Sequence, residues 1–266
     1  MTQKTGLTMT SQGGNRYEAR VANGLSYVLE QEDWSVKTDY YLDTFVFHLD
    51  DILQNLRAGG NPLRRVLEMG IARGVLSIGV ALLTDDNTEV VGVDIAPGAD
   101  ELVRKNAAQH GVAERISVRI GDMFEPIAGG ETFDLIISEM PFIPVDPAQQ
   151  TRLIAEGYAS EILNVSGGPD GRHFIDIIIA EAGRYLAPGG AVVFIQPSFI
   201  GVEKSLQRLQ AHGLRGEVLF QREHRLCDTR FTGDNRGYIE TVGDMRFSRN
   251  ATGEEVFHLT IIKGEK

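Results

Sequence analysis

The residues in this chain that can do chemistry fall mostly at the ends of short apolar runs. Glu68-Met-Gly70-Ile-Ala-Arg-Gly74 sets an acid and two glycines on one turn, Asp94 closes Glu89-Val-Val-Gly-Val-Asp94, Asp122 follows Ile116–Ile120, and Glu139 follows Phe133–Ser138. Glycine lets a backbone approach a ligand closely, and a helix start offers N–H groups without helical partners, so a strand, a glycine turn and a helix form a cradle for a nucleotide-like ligand. Two ligand classes are disfavoured. A phosphate loop needs Lys-Ser or Lys-Thr after its last glycine, whereas Val75-Leu76 follows Gly74. A pyrophosphate turn needs a small residue where branched Val75 stands. Asp94 ends the next strand, where a carboxylate is placed to accept both hydroxyls of a ribose.

These side chains need an alternating scaffold. Arg64–Met69 reads as a buried strand and Val75–Leu83 as a helix apolar nearly all round. Glu89–Asp94, Ile116–Ile120, Phe133–Ser138 and Ala191–Gln196 read as strands, and Ala99–His110, Arg172–Leu186 and Val202–Ala211 as helices, with Pro188-Gly-Gly190 a turn. Strands separated by helices imply an α/β fold with a mostly parallel sheet and helices on both faces. Glu217–Phe220 and Val256–Ile262 read as two more strands, around an irregular insertion at about 221–254. Ahead of this domain (61–266) the sequence predicts a disordered tail (1–16) and a small N-terminal extension (17–60) covering the ligand site. The extension reads as strands at Leu25–Leu29 and Trp34–Val36 and one helix over Asp43–Leu56.

The acid-x-Gly-x-x-x-Gly pattern resembles the first motif of class I, Rossmann-like S-adenosylmethionine (SAM) methyltransferases, with alanine at 72 where glycine is usual. More specifically the chain resembles the glutamine-N5 and related amino-group methyltransferases that act on release factors, ribosomal proteins and rRNA bases. The matching stretches are Asp39-Tyr-Tyr-Leu-Asp-Thr-Phe45, Gly121-Asp-Met-Phe-Glu-Pro126, Gly167-Gly-Pro-Asp-Gly171 and Leu186-Ala-Pro-Gly-Gly190, running from about residue 40 to 213. The resemblance implies that Gly70 and Gly74 wrap the amino-acid end of SAM and that Glu68 takes its ammonium. Asp43 and Thr44 lie over the methionine end. Asp122 accepts from the adenine amino group, while the Met123 backbone N–H meets a ring nitrogen. The family's catalytic tip is Asn-Pro-Pro-Tyr/Phe; here it is Glu139-Met-Pro141-Phe142. An ionised glutamate has only acceptors and suits a nitrogen bearing several N–H groups, such as an amine or a guanidinium. Ser138-Glu139 also looks like part of the double-glutamate loop of arginine methyltransferases, with Glu156 the candidate second acid. Pro141 shapes the backbone at the tip, and Phe142 stacks on substrate or packs beside the adenine.

The net charge of −11 repels phosphate backbones, so nucleic acid is not the expected partner. The reading is therefore methyl transfer to a nitrogen of a small-molecule amine or guanidine, with a protein N-methyltransferase, an oxygen or carbon methyltransferase and an inactive SAM-binding regulatory partner as alternatives. Oligomeric state stays open, a homodimer included. Cys227 is the only cysteine, no apolar run spans a bilayer, and the N-terminus is polar, so a cytoplasmic location is expected. His224-Arg-Leu-Cys-Asp228 lacks a second cluster, so no metal site is expected.

Overall fold

The computed structural model describes residues 9–11, 16–31, 41–225, 236–242 and 247–266. It divides into two compact units, Met1–Ser138 with Tyr185–Ala191, and Glu139–Arg184 with Val192–Lys266.

The first unit opens with an antiparallel sheet of β1 (Met9–Ser11), β2 (Arg16–Arg20) and β3 (Ser26–Glu30). The predicted tail thus contributes a strand, and the strand of Leu25–Leu29 pairs back onto residues 16–20; Trp34–Val36 lies outside the described residues. The predicted helix over Asp43–Leu56 is two helices, α1 (Leu42–Phe47) and α2 (Leu49–Ala58). The break has a backbone cause. Ala22 N–H donates to the Phe47 carbonyl at 3.0 Å, and that carbonyl is the one a continuous helix would offer to Asp51.

Next come β4 (Arg65–Met69), α3 (Val75–Leu83), β5 (Glu89–Asp94), α4 (Ala99–Gln109), β6 (Ile116–Ile120) and β7 (Phe133–Ser138), close to their predicted bounds. β4 pairs in parallel with β5 and with β7, and β5 in parallel with β6, giving the order β6-β5-β4-β7. Val66, Leu67, Leu135, Ile136 and Ile137 are buried, as parallel strands covered on both faces must be.

The second unit holds α5 (Pro147–Ala155), α6 (Ala159–Leu163), α7 (His173–Tyr185, ending in the first unit), α8 (Val202–Ala211), β9 (Arg215–Arg225), α9 (Arg236–Thr241), β10 (Ser248–Arg249) and β11 (Glu255–Glu265). β11 pairs antiparallel with both β9 and β10. β8 (Leu186–Pro197) is divided between the two units, Leu186–Ala191 falling in the first and Val192–Pro197 in the second. It begins before the predicted turn, and Gly189 keeps φ +74 within it. β9 runs five residues beyond its predicted end, so the stretch read as irregular from Gln221 is strand up to Arg225. β10 and α9 order further parts of that insertion.

Candidate active site: a glycine turn joined to three acidic strand ends

The turn between β4 and α3 is held on every side. Gly70 and Ile71 N–H groups both donate to the Val93 carbonyl, at 2.9 and 3.0 Å, and Gly74 N–H donates to the Ile71 carbonyl at 2.7 Å. Gly74, the N-cap of α3, has φ +85, a conformation open to glycine without cost. Ile71 is 1% exposed and packs with Ala99 and Val103 of α4. Gly92 makes that possible, since a Cβ there would stand 2.1 Å from Ile71 Cδ1. Ala72 has φ +47, so the methyl group that departs from the usual motif sits on a left-handed residue.

Glu68 is 3% exposed and turns toward the start of α3. Its Oε2 accepts from Ser77 N–H at 2.8 Å and from the Ser77 hydroxyl. Asp94 is half-buried at the end of β5. Its Oδ2 accepts from Ala72 N–H at 2.8 Å and its Oδ1 from Ala96 N–H at 2.9 Å. One bond therefore joins this acid to the glycine turn. The bond to Ala96 is a local turn cap of the kind aspartate makes, so capping and an outward acid coexist here. Gly121 N–H donates to the Asp94 carbonyl at 2.9 Å, setting Asp122 beside the end of β5. Asp122 is exposed, and Met123 after it has φ +45. Left-handed non-glycine residues cluster at functional sites, and two of the three among the described residues, Ala72 and Met123, fall here. Thr44 is fully buried on α1, which packs against α3, and Asp43 beside it is 6% exposed.

Sequence reasoning missed Ile95. It is 71% exposed directly after Asp94, a large aliphatic residue left in water. The signal was present in the apolar residue following the strand-end acid. Ser77 and its hold on Glu68 were missed as well, because nothing in the sequence says which way a buried acid turns.

In the second unit, Glu139, Met140 and Pro141 are half-buried, while Phe142 is 2% exposed. The chain after the tip is held by backbone pairing. Ile143 bridges Ser166 in parallel, with Ile143 N–H to the Val165 carbonyl at 2.9 Å and Gly167 N–H to the Ile143 carbonyl at 2.9 Å. A Cβ at Gly171 would lie 2.4 Å from the Phe142 carbonyl oxygen, which is why the Gly167–Gly171 turn carries glycine there. Glu156, the candidate second acid, is exposed at the end of α5 with Arg152 3.9 Å away.

His224, on β9, has its pKa lowered to about 4, first by burial and then by Arg222 and His258. Cys227 and Asp228 lie outside the described residues.

A methyltransferase-domain family model matches residues 61–232. The chain belongs to that family. Its fold, a mainly parallel Rossmann-like sheet flanked by helices, is the family's. Among curated relatives, the chain is 33% identical over 153 residues to a putative protein N5-glutamine methyltransferase of Methanocaldococcus jannaschii, covering 58% of this chain and 72% of that one. It is 35% identical over 125 residues to the release factor glutamine methyltransferase of Geobacter sulfurreducens, and 34% over 131 residues to the ribosomal protein uL3 glutamine methyltransferase of Bradyrhizobium diazoefficiens. The first match covers 47% of this chain and 42% of the relative, the second 49% and 40%. The chain thus spans under half the length of these last two. A 16S rRNA methyltransferase of T. thermophilus, solved with AdoMet and guanosine, shares the fold with a TM-score of 0.55 at 16% identity, over 97% of this chain and 52% of that one. No helix among the described residues is long and apolar enough to cross a membrane.

Proposed function

We propose that the protein transfers a methyl group from SAM to a side-chain nitrogen of a protein substrate. The observation that carries this reading is the set of relatives named for glutamine methylation of a release factor and a ribosomal protein, taken with the tip Glu139-Met-Pro-Phe142 after β7. A small-molecule amine or guanidine is the second reading, favoured by the carboxylate of Glu139 where the family carries an amide.

The residues of the first unit fit the donor. Asp94 accepts from the ribose hydroxyls, and its bond to Ala72 holds the glycine turn in register with them. Asp122 and the Met123 N–H would meet the adenine edge, and exposed Ile95 would cover an adenine face. Gly70 and Gly74 would give the amino-acid end of SAM its close backbone, and Glu68, buried and held by Ser77 at the start of α3, would supply the local negative charge for its ammonium, with Thr44 over the methionine end. Bound SAM supplies an electrophilic methyl group and a leaving thioether, so the chain's own work is positioning. Glu139 holds the acceptor nitrogen through its N–H groups and keeps its lone pair directed; as the N–C bond forms, one proton leaves the nitrogen toward Glu139 or solvent. Pro141 would shape that backbone, and Ile143, next after the buried Phe142, ties it to Val165 and Gly167.

Methyl-labelled SAM incubated with the protein and a cell extract tests this directly. Label on a polypeptide, at a side-chain nitrogen and lost with Glu139→Ala, is the expected result. Label confined to small molecules would replace it with the second reading. A loss of about a hundred- to ten-thousand-fold in rate fits Glu139 as a proton-accepting group.

A further inference from the structure

Asn106 on α4 is fully buried and makes three hydrogen bonds to main chain. Its Nδ2 donates to the Arg73 carbonyl at 3.0 Å and to the Glu30 carbonyl at 3.0 Å, and its Oδ1 accepts from Glu30 N–H at 2.7 Å. One amide thus ties the glycine turn to the end of β3. Tyr27, also on β3, donates its hydroxyl to the Val75 carbonyl at 2.7 Å. Gly79 leaves room for it, since a Cβ there would stand 2.6 Å from the Tyr27 hydroxyl. The residues on either side of Gly74 are therefore both gripped from outside the turn by buried side chains.

Within that turn Ala72 sits at φ +47. A left-handed alanine costs about 1–2 kcal/mol, so the shape persists because its surroundings over-determine it. Asparagine suits the grip, because one amide offers both the donors and the acceptor that these three main-chain groups need; aspartate has no donor.

We propose that Asn106 is a positioning residue for the methyl donor: by holding the Arg73 carbonyl against β3 it fixes the Gly70–Gly74 turn in the shape that receives the amino-acid end of SAM, with Tyr27 a second hold at Val75. The inference rests on reading that turn as the seat of the amino-acid end. Asn106 acts through the backbone, and its effect is confined to one end of the donor.

Calorimetric binding of SAM and of 5′-methylthioadenosine, at a temperature well below unfolding, separates this role from general support of the fold. Methylthioadenosine keeps the nucleoside and thioether and lacks the amino-acid end, so it reports on the Asp94 and Asp122 side alone. Asn106→Ala is expected to weaken SAM about ten-fold or more while leaving methylthioadenosine within about two-fold. Tyr27→Phe, which removes only the hydroxyl, should act in the same direction by about three-fold. Equal losses for both ligands, or unchanged SAM affinity in the folded variants, would overturn the proposal. If Asn106→Ala does not fold, Tyr27→Phe decides by the same criterion. A wild-type protein that binds neither ligand refutes the seat itself, and the proposal with it.

Discussion

Ala72 and Asp94 meet through a single 2.8 Å hydrogen bond, and each makes a prediction of its own. Ala72 carries a side chain in a backbone region suited to glycine. Ala72→Gly removes that cost and restores some freedom to the unfolded chain, for a net gain of about 0.5–1 kcal/mol in urea unfolding. A loss of stability would show that the alanine methyl packs better than its φ suggests. Asp94 has one charge for two backbone N–H groups and, on the reading above, a ribose. Asp94→Asn leaves a single acceptor oxygen, and SAM affinity should fall about ten- to a hundred-fold, the effect of losing one charge-assisted hydrogen bond. Calorimetry reads this directly, and unchanged affinity would remove Asp94 from the site. Strand-end acids were legible in the sequence because a carboxylate closing an apolar run has few bland explanations. The bond from Ala72 to Asp94 was not, since the residues stand 22 apart and only the fold makes them neighbours.

Among elements, β5 and the glycine turn share one packing decision at Gly92. Ile71 fills the space that a side chain there would need, within 2.1 Å of a Cβ. Gly92→Ala must push Ile71 out of its contact with Ala99 and Val103. A destabilisation of about 1–3 kcal/mol follows from overpacking, and SAM binding should weaken in parallel because the displaced residue belongs to the turn. Stability lost with affinity intact would show that the turn does not depend on Ile71. The parallel strands and their helices were readable because long buried runs and closing glycines leave little choice of period. The helix over Asp43–Leu56 was misread for a physical reason. Its apolar spacing continues through His48, but the carbonyl of Phe47 belongs to Ala22, a partner invisible to any local pattern. The tip was half legible: its residue types were clear, while the burial of Phe142 depends on the chain pairing at Val165–Gly167.

For the molecule as a whole, acid should act in two successive ranges that meet near pH 4. His224 is buried with its pKa near 4, so the folded state keeps it neutral while an unfolded chain protonates it near 6.5. Its stabilising contribution is full above pH 6.5 and is lost as pH falls toward 4. His224→Gln should flatten that part of the stability profile; a profile of unchanged slope would place the loss elsewhere. Glu131 is held at about 2, chiefly by Arg119, whose guanidinium bonds both carboxylate oxygens at 2.6 and 2.9 Å, with help from Arg65 and the Ala128 N–H. Its contribution is full above about pH 4.5 and disappears toward pH 2. Glu131→Gln should therefore cost about 1–2 kcal/mol at neutral pH, after solvent screening, and little below pH 2.

The shared strand β8 also sets a clock for biosynthesis. The first unit includes Tyr185–Ala191, so it cannot be completed when Ser138 leaves the ribosome. Some fifty further residues must be made, which at about 5–20 residues per second takes a few seconds. Throughout that interval the nascent chain carries Phe133-Asp-Leu-Ile-Ile-Ser138 as an apolar strand still waiting for its outer neighbour, the kind of open edge that invites pairing with other chains. Nascent chains whose emerged part ends between residues 138 and 185 should therefore associate with chaperones far more than chains from which Ala191 has emerged.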